Sequence, residues 1–319
     1  KATMRRENLS RAAQSLRSGV LLVDKPAGMS SAEVTNQIKR KHHFARIGHG
    51  GTLDPFATGL LVVLLGEATK VARFLLEGEK AYEAEALLGS ETATGDPEGE
   101  VIATAEIPNL SVAEWQALTK PFTGRFSQTP PIYSALKVKG KPLYEYARNG
   151  EEVEVKPREV YVRELEIQKA SATTLNFRVQ CRGGTYIRVL AVDLARAAGT
   201  RAHLTGLRRT GSSSFRVSNA ANLEEVLVTP TEELKLQGII QAVSHLPKIV
   251  CDSGAAQRIR QGNLAAFEFL KNQLEKPGYF LVTTLEGEVE VPVAIANHNP
   301  MLIPFCSIER VFDPLHWRT

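Results

Sequence analysis

The stretch that most constrains this 319-residue chain is Gly48-His49-Gly50-Gly51-Thr52-Leu53-Asp54-Pro55-Phe56-Ala57-Thr58-Gly59-Leu60-Leu61, which runs into an apolar segment ending at Leu65. Glycine tolerates positive φ and close backbone approach. Proline fixes its own φ and biases the residue before it, here Asp54, toward extended backbone. The apolar run from Leu60 to Leu65 reads as a buried central strand. Together they predict a stiff loop that presents one carboxylate from the edge of a core strand. An Asp-Pro turn facing solvent carries the same signature, so the meaning of the loop depends on what the chain places around it.

Before the loop, Val20-Leu21-Leu22-Val23 predicts a short buried strand ending at Asp24-Lys25-Pro26. Ser30 and Glu33 then have the spacing of a capping box. The helix they open carries Val34 and Ile38 one turn apart and closes on Lys39, Arg40 and Lys41, where cations suit the helix dipole. After the loop, Ala68, Val71, Ala72 and Leu75 predict a helix starting near Glu67. Tyr82, Ala84 and Ala86 share one face of an alternating strand, and Gly89–Gly99 reads as a polar loop or hairpin tip. A short amphipathic helix is expected over 110–120.

Gln128-Thr129-Pro130-Pro131-Ile132-Tyr133 is an extended, presented segment that leads to a basic turn at Lys137–Gly140. Strands follow at Val160–Ile167 and Thr174–Cys181; in the second, Leu175, Phe177, Val179 and Cys181 face one way. A helix after Gly183-Gly184-Thr185 buries Ile187, Leu190, Ala191 and Leu194 and stops at Gly199. Arg188 falls in its first turn, where the dipole disfavours a cation by about 0.3–1 kcal/mol. A buried carboxylate would answer that charge, and so would solvent. Beyond Leu246-Pro247 the texture changes, and Gly278–Ala296 alternates around Glu286-Gly287-Glu288, as in a small β-rich domain. The expected organisation is a leader at 1–18, a body at 19–245 and a C-terminal unit at 246–319.

Charge narrows the function classes. The formal net charge is +4, and Lys1, Arg5, Arg6, Arg11 and Arg17 against Glu7 place all of it in the leader. Non-specific polyanion binding by sheer charge is therefore unsupported. Acid-free basic islands at Lys39–Arg46, Arg178–Arg188 and Arg201–Arg216 nonetheless contrast with the acidic stretch Glu77–Glu100, a segregation that suits a local footprint on nucleic acid or an ordinary solvated surface. Three separated cysteines suggest a reducing compartment and neither a disulfide framework nor a zinc site. No apolar run reaches the roughly 20 residues of a membrane span. The leader reads as a processing scar or a mitochondrial transit segment, and the body as cytoplasmic.

His49-Gly50-Gly51 is reminiscent of an esterase oxyanion loop, but no Gly-x-Ser-x-Gly pentad exists in the chain. The glycines also fail Gly-x-Gly-x-x-Gly and no P-loop is present. An enzyme acting on a nucleic-acid base needs a carboxylate, a cation beside it, an aromatic platform and basic surface. Asp54, Arg188, Tyr82 and the basic islands meet that list. A non-catalytic RNA-binding module does not require a carboxylate on so rigid a mount.

These motifs in this order resemble the TruB-type tRNA pseudouridine-55 synthases. Gly48–Leu61 with Gly66-Glu67-Ala68-Thr69-Lys70 resembles their catalytic motif, and Asp24–Ser31 their opening motif. Lys80-Ala81-Tyr82, Pro131–Gly140, Gly184-Thr185-Tyr186-Ile187-Arg188 and His203–Arg209 resemble the tyrosine, proline, arginine and late basic motifs. Gly51 stands where many relatives have threonine and Val62 where many have proline. The resemblance implies an α+β pseudouridine synthase fold: a mixed, mostly antiparallel central sheet flanked by helices, with a small PUA-like RNA-binding domain. It implies isomerisation of a T-arm uridine without cofactor or metal, by a monomer that needs no protein partner and no membrane.

In that scheme Asp54 is the nucleophile, at C1′ of the sugar or C6 of the base. Arg188 pairs with it and keeps it ionised. Tyr82 stacks on the flipped base and helps remove the C5 proton. His49 helps hold the base-flipped RNA, and Lys25, Lys137, Lys139, Tyr186, Leu207, Arg208 and Arg209 contact RNA. The guide-RNA-dependent dyskerin-type branch shares the Gly-Thr-Leu-Asp-Pro core, and a tRNA chaperone is the non-catalytic alternative. Ala57–Leu61 and Ser134–Gly140 resemble the stand-alone branch.

Overall fold

The computed structural model describes residues 17–134, 136–270, 276–301 and 303–313; the leader up to residue 16 lies outside them. The chain opens with strand β1 (Gly19–Lys25), helix α1 (Ser31–His42), β2 (Ile47–His49) and β3 (Thr58–Leu65). Helix α2 (Ala72–Glu77) precedes β4 (Glu79–Leu88) and the hairpin of β5 (Ser90–Thr92) and β6 (Val101–Thr104). Then come α3 (Val112–Leu118), β7 (Gly124–Gln128), the small hairpin β8 (Lys137–Val138) and β9 (Lys141–Pro142), and α4 (Leu143–Arg148). Long strands β10 (Arg158–Ala170) and β11 (Thr174–Arg182) lead to α5 (Ile187–Ala197) and β12 (Ala202–Ser212).

The local signals explain much of this. Ser30 and Glu33 form the reciprocal capping box that starts α1, and Ser111 and Glu114 form another at α3. The alternation in β11 buries Leu175, Phe177, Val179 and Cys181. The helix expected to start near Glu67 differs: Gly66–Val71 is a tighter 3-10 turn, and the α-helix begins only at Ala72. Gly66 sits at φ +55°, and the Thr69 hydroxyl takes the Gly66 carbonyl at 2.8 Å, which competes with regular helical bonding. Here the last two leader residues dock: the Ser18 hydroxyl accepts from the Glu67 amide at 2.9 Å, and Arg17 donates to the carbonyls of Thr231 and Leu234.

The main sheet is mixed and mostly antiparallel. Its order contains the run β1-β3-β12-β4-β11-β10-β7. Strand β12, late in the chain, is inserted between β3 and β4: it runs parallel to the first, with Arg209 beside Gly59, and antiparallel to the second, with Arg209 opposite Tyr82. That insertion brings the Gly48–Leu61 loop and the tyrosine strand to the two sides of one strand. Helices α3 and α5 cover a core that contains Trp115, Phe177, Leu190 and Leu204.

After β12 come two short strands, β13 (Phe215–Arg216) and β14 (Ala221–Asn222), then α6 (Leu223–Val228), β15 (Leu236–Gln237) and α7 (Ile239–Ala242). A separate four-stranded sheet follows, from β16 (Lys248–Cys251), β17 (Gly278–Glu286), β18 (Val289–His298) and β19 (Cys306–Val311), with α8 (Ser253–Arg260) packed on it. Its Leu281 and Ile295 join Val20, Leu60 and Leu64 in one hydrophobic cluster, so the small sheet leans on the main one. No helix among the described residues is long and apolar enough to cross a membrane.

Candidate active site

The loop around Asp54 is held by its backbone from every side. Gly50 donates to the Val62 carbonyl at 2.8 Å. The Ser31 hydroxyl, in the first turn of α1, accepts from the Leu53 amide at 2.8 Å and donates to the Leu53 carbonyl at 3.1 Å. The Pro55 carbonyl accepts from the Gly28 amide at 2.8 Å and from Lys25 Nζ at 3.2 Å. Arg209 donates to the carbonyls of Leu60, Gly51 and Thr52 at 2.7, 2.9 and 3.3 Å. Gly59 permits the last set: at φ +99°, a Cβ there would lie 2.3 Å from the Arg209 carbonyl oxygen. With its backbone so occupied, the loop offers the Asp54 carboxylate, whose side chain is 35% exposed.

Arg188 is the hub. The sequence left open whether it faces solvent or a carboxylate; it is 4% exposed. A guanidinium has five N–H donors, and Nη1 and Nη2 each donate to two acceptors. Nε lies 2.9 Å from one Asp54 oxygen as an ion pair, and Nη2 donates to the other at 3.3 Å. Nη1 reaches the Thr94 carbonyl at 2.6 Å and the Asp96 carboxylate at 3.1 Å, and Nη2 also reaches the Tyr133 carbonyl at 2.9 Å. Helix α5 is aimed by Gln128, whose side-chain amide accepts from the Tyr186 amide at 2.9 Å and donates to the Tyr186 carbonyl at 3.1 Å.

Asp96 is the partner the sequence reading missed. Its carboxylate is buried, accepts from Thr94 Oγ1 at 2.5 Å and from the Glu98 amide at 3.0 Å, and touches Arg188 from the side away from Asp54. A signal for it existed: Gly95-Asp96-Pro97 repeats in small the glycine and Asp-Pro of the main loop.

A cleft of about 350 Å³ opens over this pair, lined among others by Asp54, Lys80, Tyr82, Tyr186, Leu207 and Arg209. Its size is at the lower end of small-molecule pockets, and the aromatic and leucine walls suit a planar ring. Burial pushes the Asp54 carboxyl above its ordinary range; Arg188 opposes the shift and Asp96 adds to it. Arg188 thus acts in the direction expected of it, favouring the ionised carboxylate, against the opposing effect of burial. Arg188 shares its charge between two carboxylates and limits a rise that desolvation imposes. Burial likewise raises the Tyr82 phenol, with the Arg209 guanidinium pulling the other way.

The remaining candidates divide. Tyr186 and Leu207 stand in the cleft wall. Arg208 is 40% exposed and pairs with Asp24 at 2.6 Å, and Lys139 is exposed on its turn. The side chain of Lys137 lies outside the described residues. Lys25 and Arg209, expected on RNA, are 0% and 1% exposed. Lys25 donates to the carbonyls of Met29, Pro26 and Pro55, and burial depresses it to about 8. Both cations hold the loop, because buried carbonyls need donors that the loop's own backbone does not provide. His49 is half-buried in β2, not in the cleft lining; its Nδ1 has no hydrogen-bond partner among the described residues, and burial lowers its pKa. No group of three or more His, Cys, Asp or Glu residues among the described ones is arranged to hold a metal.

Residues 39–187 match the family described as TruB family pseudouridylate synthase (N terminal domain). The chain is 47% identical over 250 residues to the tRNA pseudouridine synthase B of Aromatoleum aromaticum, covering 78% of this chain and 81% of that one. It is 42% identical over 232 residues to the tRNA pseudouridine synthase B of Opitutus terrae, covering 73% and 96%. Among solved structures, a chain from a Cbf5-Nop10-Gar1 complex superposes with a TM-score of 0.70 at 26% identity, over 95% of this chain and 87% of that one.

Proposed function

Since this chain belongs to the TruB family of pseudouridylate synthases, we propose that it is a tRNA pseudouridine-55 synthase in which Asp54 is the nucleophile. The observation that carries this reading is the Asp54–Arg188 pair, with one face of the carboxylate open to a cleft that Tyr82 also lines. Asp54 attacks C1′ of the sugar or C6 of the base and the C1′–N1 bond breaks. The detached uracil turns, C5 bonds to C1′, the bond to Asp54 breaks and returns its electron pair to the carboxylate, the C5 proton leaves and N1 gains one. The sum is an isomerisation, balanced without oxidant or cofactor. Arg188 holds the carboxylate, and Tyr82 stacks on the flipped base and takes the C5 proton. Extruding a base costs a few kcal/mol, which stacking worth about 1–3 kcal/mol per base largely offsets. His49 reaches into the RNA beside the vacated position, and Lys137, Lys139 and Arg208 meet the tRNA.

On this reading residues 19–245 are the catalytic domain and 246–319 a PUA-like RNA-binding domain. The enzyme works in the cytoplasm as a monomer, without a protein partner. The likeness to a chain of a Cbf5-Nop10-Gar1 complex favours a second reading, guided modification. The higher identity to tRNA enzymes supports the stand-alone one.

The test uses purified protein and an unmodified tRNA transcript alone. Pseudouridine in the T arm is expected. Its absence there, with formation only on adding a guide RNA and accessory proteins, would reverse the choice. Asp54→Asn should abolish turnover and leave tRNA affinity within about tenfold, since affinity comes mostly from backbone and base contacts; retained activity would remove Asp54 from the nucleophile's role.

A further inference from the structure

We propose that Gln128 is a positioning residue for the reaction: its side-chain amide clamps the main chain of Tyr186 at the start of α5 and so sets Arg188 against Asp54. The inference deepens the reading given above and rests on the Asp54–Arg188 pair.

The need for a clamp lies in the helix itself. The first N–H groups of a helix have no intrahelical acceptor, and a Ser, Thr, Asp or Asn at the cap usually answers one of them. Helices α1 and α3 open in that way, on Ser30 and Ser111. Helix α5 opens on Tyr186, whose side chain makes no cap. Arg188 then stands in the first turn, where the dipole works against its charge. Nothing local to the helix holds its start in place.

Gln128 comes from elsewhere, at the end of edge strand β7. It is 2% exposed and is not in the cleft lining. Its Oε1 accepts from the Tyr186 amide at 2.9 Å, and its Nε2 donates to the Tyr186 carbonyl at 3.1 Å. The same carbonyl takes the first helical bond, from the Leu190 amide at 3.1 Å, so clamp and opening turn share one atom. Beyond Gln128, Pro130 and Pro131 restrict the chain, and the Tyr133 carbonyl accepts from Arg188 Nη2 at 2.9 Å. One segment thus holds α5 twice, through the main chain of Tyr186 and through the guanidinium of Arg188. Gln128 touches no reacting atom and acts through those two residues.

The consequence for Asp54 has a sign. Burial raises its pKa; among charged groups Arg188 from α5 and Lys25 from β1 lower it, and Asp96, between β5 and β6, raises it. Of these only Arg188 is carried by α5. A helix start that drifts therefore weakens the attraction on the Asp54 carboxylate, and its pKa rises further.

The experiment measures single-turnover kcat, KM and the acid limb of kcat for wild type, Gln128→Met and Asp54→Asn, with thermal melting as the folding control. Methionine keeps the length of the side chain and removes both bonds. A misplacement of about 1 Å can cost about 10²-fold, so Gln128→Met should lose about 10- to 100-fold in kcat. KM should hold, and the acid limb should move to higher pH. A lowered melting temperature with wild-type kcat and an unmoved limb would reduce Gln128 to packing and overturn the inference. A slow variant whose limb stays in place would show Arg188 undisturbed, and a defect confined to KM would put Gln128 on the RNA side; either overturns it as well. These outcomes leave the reading of Asp54 intact, whereas turnover by Asp54→Asn would remove that reading and this inference together. Should Gln128→Met not fold, Gln128→Asn decides, because it keeps the amide but withdraws it by one methylene. The same fall in kcat and the same direction of the limb are expected there, and wild-type values would refute the clamp.

Discussion

Replacing Asp96 by Asn probes whether the site depends on a carboxylate that never faces the substrate. The change keeps shape but removes the charge that Arg188 Nη1 meets at 3.1 Å. A hydrogen bond to a charged group contributes about 1.5–3 kcal/mol. If that energy holds Arg188 in the orientation that clamps Asp54, its loss lowers kcat by about 10- to 150-fold. KM should hold, because Asp96 is buried and cannot touch tRNA. A second effect has the opposite sense. Asp96 is one of the groups that raise Asp54, so its neutralisation lowers the Asp54 pKa, and the acid limb of the kcat profile should move to lower pH. Single-turnover tritium release from tRNA labelled at uridine C5 reads both. An unchanged kcat with an unmoved acid limb would show that Asp96 neither braces Arg188 nor acts on Asp54. A defect confined to KM would place Asp96 on the RNA side.

Other perturbations follow from the loop's anchorage. Gly59→Ala puts a Cβ 2.3 Å from the Arg209 carbonyl oxygen at φ +99° and should destabilise the protein by at least about 1–3 kcal/mol, read by urea unfolding; an unaffected midpoint would contradict the packing of β3 on β12. Lys25 falls from 10.5 to about 8 in the folded protein, so the unfolded chain binds more protons between those values. Its burial penalty, about 3 kcal/mol, is fully present below about pH 8 and fades toward pH 10.5. Relative to Lys25→Met, wild type should therefore gain stability as pH rises through that window, and parallel curves would refute the depressed value. Burial pushes the Cys181 thiol up to about 12; it should resist thiol reagents at neutral pH in the native protein and react once unfolded, and rapid native labelling would contradict its burial.

The legible parts of this chain are those whose cause is local. The capping box at Ser30, the alternation of Leu175 to Cys181, the stop at Gly199 and the stiffness of Gly48–Leu61 all follow from residues within one turn or one strand of each other. The motif pattern also brought Asp54, Tyr82 and Arg188 forward as one set. The roles of the cations were not legible. Lys25 and Arg209 have the same composition as phosphate-binding residues, and only the sheet order shows that they point at buried carbonyls. Arg188 in a first turn announced an unmet charge, but not that it would meet two carboxylates.

Sequence alone thus determined the elements and the rigid mount for Asp54, because backbone preference and hydrophobic period act over a few residues. Tertiary structure alone decided what surrounds that mount. Inserting β12 between β3 and β4 sets Arg209 against Gly59 and Tyr82, and folding the β5–β6 hairpin over α5 sets Asp96 against Arg188. Those contacts join residues about 90 to 160 positions apart through buried charge, whose energy depends on desolvation and distance rather than on sequence spacing.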